Sequence, residues 1–190
     1  NASGDTDQFT YTVTDMNGRT SQSTLTFNIA DDAPELTGAR ISATVSDDGV
    51  VTAGSHSAAM TADLTSLVIP GADSPLAWSV NAVAAGTSSG ILTGGTELTY
   101  NGTAVTLAST DGHTIVGSAG GDTVFTLTVD GAGHASLVLN QVFDGAKDQT
   151  LDFSQYVKAT DADGDSVTLG TGALTIVVDH VNHLAVFTGA

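Results

Sequence analysis

The sequence predicts an antiparallel all-β sandwich with long loops and at most one short helix, and three observations carry that prediction. Apolar residues alternate with polar ones from end to end, Asx-Gly pairs punctuate the alternation, and helical periodicity is nearly absent. Phe9, Tyr11 and Val13 share one face of a first strand, and Leu25, Phe27 and Ile29 share one face of a second. Ile41, Ala43 and Val45 repeat the pattern, as do Leu76, Trp78 and Val80. Phe125, Leu127 and Val129 follow, then Leu137 and Leu139, then Leu174, Ile176 and Val178. Threonine fills many intervening positions, as suits a β-branched polar residue facing water. Trp78 reads as core, because Leu76 and Val80 share its face. Between the runs stand Asn17-Gly18, Asp48-Gly49, Asn101-Gly102, Asp111-Gly112, Asp130-Gly131, Asp144-Gly145 and Asp163-Gly164, each tolerating the positive φ of a tight turn. Only Ala59 to Leu67 has the pattern of a short helix.

At 190 residues the chain has room for one large domain or two small ones, and 41% hydrophobic against 13% charged residues excludes a charge-rich disordered chain. Four basic residues against 21 acidic ones give a net charge of −17, which repels nucleic acid and anionic membrane faces. Arg19, Arg40, Lys147 and Lys158 are too few for a phosphate patch. The acids are almost all aspartate, with only Glu35 and Glu97 besides, and aspartate is the residue of turns and of oxygen-ligand metal loops. Divalent cations are therefore the first partners to expect. No cysteine is present, so disulfides, thiolate metal sites and cysteine nucleophiles are excluded. No run approaches the length of an apolar membrane-spanning helix. The chain opens at Asn1 with neither Met nor an apolar leader, and so reads as a piece of something longer. Its composition leans toward a secreted bacterial surface protein.

One internal repeat organises the chain. Residues 9–34 and residues 153–180 each read as a strand with an aromatic residue, a T-D-x-[ND]-G turn, and an apolar strand running into Asp. Asp15 and Asp161 mark the same point in the two copies, 146 positions apart, and the second copy carries a few extra residues around Gly170 to Gly172. A junction between modules is expected at Asp31-Asp32-Ala33-Pro34, where Pro ends strand pairing. The predicted organisation is an N-terminal hairpin segment, residues 1–33, followed by the module proper, residues 34–190. The hairpin is expected either to end a preceding repeat or to dock on the body through Phe9, Tyr11, Leu25 and Phe27.

Three stretches resemble the tandem repeats of giant type I-secreted bacterial adhesins, often called RTX adhesins. They are T-D-A-D-G-D-S-V-T at Thr160 to Thr168, A-D-D-A-P at Ala30 to Pro34, and G-x-x-G-G-D-T-V-F-T-L-T-V-D at Gly117 to Asp130. The resemblance covers most of residues 98–180 together with 9–34, and is thinner over 50–97. It implies an extracellular, Ca²⁺-dependent β-sandwich of immunoglobulin-like or cadherin-like type, set among neighbouring repeats in a cell-surface fibre that supports adhesion and biofilm formation. The glycine-rich nonapeptide of the family's calcium-binding β-roll is absent, since Gly117-Ser-Ala-Gly-Gly-Asp122 has the wrong spacing.

The strongest chemical constellation is Asp161-Ala-Asp163-Gly-Asp165, whose alternating carboxylates in a Gly-containing turn can converge hard oxygens on one Ca²⁺. It is not an EF-hand, because Ser166 and Gly172 stand where that loop needs Gly and Glu. Asp15, Asn17, Asp31, Asp32, Asp47 and Asp48 are secondary metal candidates, with Asp47-Asp48-Gly49 equally readable as a plain hairpin turn. Asp144 and Asp148 are weaker still. Gly86-Thr-Ser88-Ser-Gly90 matches G-x-S-x-G, but Ile91-Leu-Thr-Gly-Gly-Thr after it suits no helix, so no serine hydrolase is expected. His180 and His183 point to opposite faces of a strand and cannot share a zinc, while His56, His113 and His134 are scattered.

Two functions remain open, neither of them enzymatic. One is an adhesive module binding an extracellular peptide or glycan. A minimal seven-stranded sandwich needs about 100 residues, and the surplus in 50–97 reads as long loops of the kind that carry binding sites. The other is a passive extender stiffened by Ca²⁺, which tandem repetition favours. The surplus length tilts the reading toward the binding module.

Overall fold

The computed structural model describes residues 6–28, 32–51, 60–88, 90, 97–145 and 147–180. Two nine-residue strands come first, β1 (Thr6–Thr14) and β2 (Thr20–Asn28), paired antiparallel from Thr6 opposite Asn28 to Thr14 opposite Thr20. After them run β3 (Glu35–Leu36), β4 (Ile41–Ser46), the one-turn helix α1 (Asp48–Val51), β5 (Met60–Asp63), β6 (Val68–Ile69), β7 (Ala77–Val80) and β8 (Thr87–Ser88). The second half holds β9 (Thr99–Tyr100), β10 (Thr103–Ala104), β11 (Thr106–Ser109), β12 (Thr114–Ala119), β13 (Asp122–Val129) and β14 (His134–Leu139). It ends with β15 (Gln149–Asp152), β16 (Val157–Thr160), β17 (Ser166–Thr168) and β18 (Leu174–Asp179). The all-β prediction holds.

Three sheets enclose the core. The largest runs β5-β14-β13-β12-β11-β8, and two three-stranded sheets run β15-β18-β4 and β17-β16-β7. Their inward residues obey the predicted alternation: Phe125, Leu127, Val129, Leu137, Leu139, Leu174 and Ile176 are all fully buried, as is Ile115 of β12. Phe125 stands edge-on to Phe153 at 5.6 Å and to Phe143 at 6.2 Å, the offset geometry that aromatic quadrupoles favour. Trp78 is core as expected, at 2% exposure, and Gly133, with φ +93°, lies close against its indole. The turn chemistry holds where it was clearest: Asn101 and Gly102 both take positive φ, as a two-residue hairpin between β9 and β10 requires.

Two expectations need correction. The sheet pairing is not wholly antiparallel, because β18 lies parallel to β4, Leu174 opposite Ile41 through Asp179 opposite Ser46. Parallel neighbours need a long connection, and here nearly the whole body intervenes between them. The predicted helix at 59–67 is instead strand β5 followed by a 3₁₀ turn at Thr65–Leu67. Pairing of Met60 to Asp63 with Leu137 to His134 overrides a weak local helical preference. Within the described part of 50–97, Met60, Leu64, Leu67, Val68, Trp78, Val80 and Val83 are buried. Residues 52–59, 89 and 91–96, with His56 among them, lie outside the described residues, as does His183.

Nor does the hairpin dock as expected. Phe9, Tyr11, Leu25 and Phe27 are each about half exposed. The body closes its own core with Val157 and Ala159 of β16 and Leu174 and Ile176 of β18.

Gly117 supplies a packing test. It is buried in β12 at a register shift, and a Cβ there would overlap the Phe125 ring. Gly117→Ala is expected to cost about 1–3 kcal/mol by overpacking. Gly131→Ala, where a Cβ meets nothing within 4 Å, is expected to be near neutral. Urea denaturation of the two variants checks this.

Candidate metal centre

The loop between β16 and β17 is curled around one carboxylate. Thr160 and Ser166 pair across its base, and the Asp161 N–H donates to the Asp165 carbonyl at 2.9 Å. The N–H groups of Gly164 and Asp165 both donate to Asp161 Oδ1, at 3.0 and 2.8 Å. Gly164 makes this possible by taking φ +107°, where a side chain would be strained. The outcome is that one oxygen each from Asp161, Asp163 and Asp165 lie within 4.8 Å of one another. The three predicted primary ligands therefore converge.

The electrostatics of this cluster are unbalanced. Asp161 is 5% exposed, and its Oδ2 is buried with no hydrogen-bond partner. Burial, joined by the neighbouring Asp163 carboxyl, pushes Asp161 above the usual carboxylate range. Across the gap the Asp161 carboxyl holds Asp163 below it. The site thus wants positive charge between the carboxylates, from a proton or from a cation. Hard oxygens, one of them buried and unpaired, suit Ca²⁺, which gathers 6–8 such ligands in flexible geometry. Asp161, Asp163 and Asp165 would hold the ion, with the remaining coordination left to carbonyls or water.

This loop is also tied to the place where the chain enters the body. The Ala162 N–H donates to the Asp73 carbonyl at 3.0 Å, joining the loop to the turn at residues 71–73. On that same turn the Ala72 N–H donates to Asp32 Oδ2 at 2.8 Å. Gly71, with φ +69°, lies directly beneath the Asp32 carboxylate, so a Cβ there would collide with it.

The secondary candidates divide differently. Asp31 lies outside the described residues. Asp32, Asp15, Asp47 and Asp48 join no group of three ligating side chains among the described residues. Asp15 Oδ1 accepts the N–H groups of Asn17 and Arg19, both at 2.8 Å, sharing with Asp161 the bond from four residues onward but taking its other from two residues on rather than three. Arg19 occupies the position of Asp165 in the repeat, so this first copy carries a guanidinium where the second carries its third carboxylate. Asp48 begins α1 rather than a hairpin turn. Asp47 is 2% exposed and meets His180 Nδ1 through its Oδ2 at 2.6 Å, a pairing across 133 residues that no local pattern signals.

Other aspartates are turn residues. Asp63, Asp111, Asp130 and Asp152 each accept an N–H from two residues onward. Asp144 accepts those of Gly102 and Asn101, and the Gly102 N–H, the Thr99 hydroxyl and the Asn101 N–H hold its carboxyl below the usual range. Asp148 Oδ1 accepts the His180 N–H. Ser88 of the G-x-S-x-G string is exposed within β8. No protein-family model, curated protein or solved structure matches the chain.

The raised Asp161 pKa fixes a sign. The folded state holds that proton more tightly than the unfolded chain, whose value is near 3.8. Without metal, stability from this group is therefore lost as pH rises from about 3.8 through the raised folded value. Asp163 acts oppositely, its contribution present above 3.8 and lost as pH falls through its lowered folded value. Asp161→Asn keeps an oxygen for the two N–H groups and places an amide donor where Oδ2 stood unpaired. In chelator at pH 7 this variant is expected to melt at or above the parent, and in Ca²⁺ below it. Differential scanning fluorimetry under both conditions reads the reversal.

Proposed function

We propose that the chain is a calcium-dependent module of a large extracellular bacterial adhesin. The single observation that supports this most is the buried, unpartnered Asp161 Oδ2 facing two further carboxylates in one loop. A chain of net charge −17 is destabilised by its own repulsion, and a divalent cation held there relieves part of it. The likeness of its repeat to those of RTX adhesins supports the extracellular setting, where Ca²⁺ is plentiful and the absence of cysteine is no handicap.

Within that setting the geometry favours the stiffened extender. The carboxylate loop, the turn at 71–73 and Asp32 form one hydrogen-bonded series from cation site to linker. An ion that orders the loop orders the linker as well, which is what a rigid tandem array needs. The ligand-binding reading rests on the surplus length of 50–97, part of which contributes Met60, Leu64, Leu67, Val68, Trp78, Val80 and Val83 to the core. It survives as a second reading because a Ca²⁺ with an open position can take a peptide carboxylate or vicinal sugar hydroxyls.

Calcium at about 100 times its dissociation constant is expected to raise the melting temperature by about 5–10 °C. Asp163→Ala should lose most of that rise, and an equal rise in variant and parent would move the site elsewhere. A peptide and glycan array probed in Ca²⁺ and in chelator separates the two readings. Silence in both, with the protein folded, is the extender's outcome; calcium-dependent binding is the adhesive module's.

A further inference from the structure

The β1–β2 hairpin presents two unlike faces. One carries Phe9, Tyr11, Val13, Leu25 and Phe27, with Phe9 edge-on to Phe27 at 5.9 Å. The other is all Thr, Gln and Asn, from Thr6, Gln8 and Thr10 to Thr24, Thr26 and Asn28. The five apolar side chains are 49–59% exposed, a contiguous patch of a kind that marks an interface. A two-stranded hairpin is marginal in water without something on its apolar face.

The internal repeat identifies what that something is. The two copies share the geometry of their turn as well as its sequence, although β2 pairs with β1 while β18 lies in a different sheet from β16. Asp15 N–H donates to the Arg19 carbonyl just as Asp161 N–H donates to that of Asp165, and each aspartate's Oδ1 receives the loop N–H groups. Carried outward from this shared turn, Tyr11 and Val13 correspond to Val157 and Ala159. Past the extra residues of the second copy, Leu25 and Phe27 correspond to Leu174 and Ile176. All four counterparts are fully buried, whereas the hairpin residues are half exposed. These four positions close a core in one copy and stand without a core in the other, while Phe9 corresponds to exposed Gln155.

We infer that the apolar face of the β1–β2 hairpin is the interaction surface for a second β-body built like residues 34–180, lying upstream in the parent polypeptide and lacking its own last strands. This chain's own body is excluded as that occupant because β16 and β18 already fill the place. The inference is independent of the calcium reading, since it rests on the shared turn and the apolar positions around it and on no bound ion.

The test fuses residues 34–152 ahead of the full chain, supplying a body without its last strands, and compares hydrogen exchange of the fusion with that of the chain alone. The amides of Tyr11, Val13, Leu25 and Phe27 are expected to slow about tenfold or more as hairpin opening becomes coupled to opening of a core. Tyr11 and Phe27 are larger than Val157 and Ile176, so a second fusion carries Tyr11→Val and Phe27→Ile to remove overpacking. Unchanged hairpin exchange in both fusions, with Leu127 and Leu137 still protected, overturns the inference. So does a chain that alone forms a dimer with its hairpin protected, because the occupant is then a second copy.

Discussion

One carboxylate organises the end of the molecule where the chain enters its body. Asp161 folds the loop about itself through two N–H groups, and the loop grips the turn at 71–73. That turn in turn anchors Asp32. Each link is an ordinary hydrogen bond, worth about 0.5–1.5 kcal/mol net. What is not ordinary is the Oδ2 atom left buried and unpaired. Buried polar groups are paired in the great majority of native structures, so such an atom asks for a partner of opposite charge. Two further carboxylates in the same loop make that partner a proton or a cation, and give a cation three side chains to bind.

Much of the architecture was legible because one period dominates the sequence. Buried Phe125, Leu127, Leu137 and Ile176 sit on faces that alternation assigns to the core, and Trp78 follows from its neighbours at 76 and 80. The Asp-x-Asp-x-Asp cluster was legible for a related reason: residues so close in sequence are held together by a single turn. Long-range partnerships were not. The parallel pairing of β18 with β4 and the contact of Asp47 with His180 join residues more than 130 positions apart, and no local periodicity encodes either. Met60 to Asp63 show the converse, a helix-compatible string drawn into a sheet by its pairing with β14.

The aspartates show why composition alone misleads. Asp63, Asp111, Asp130, Asp144 and Asp152 spend their carboxylates on backbone N–H groups of nearby turns, as any cysteine-free chain of short strands requires. The hairpin at Asp15 is the instructive contrast. It shares with the turn of Asp161 the two bonds that join its first and fifth residues, yet replaces the last carboxylate with Arg19 and the middle one with Asn17. A common turn thus serves two ends, a neutralised hairpin in one copy and a concentrated negative site in the other. The distinction lies in two side chains, not in the backbone.

The central claim is that the 161–165 loop holds a calcium ion against Asp161. Its most direct measurement is a Ca²⁺ titration of the metal-free protein followed by ¹H–¹⁵N NMR, because Gly164 and Asp165 each donate an amide N–H to the Asp161 carboxylate. The account predicts saturable shifts of those two amides, with smaller ones at Ala72 and Ala162 through the hydrogen-bonded series to Asp32. Shifts confined to other turns, or none up to the millimolar concentrations at which extracellular modules bind calcium, would contradict it.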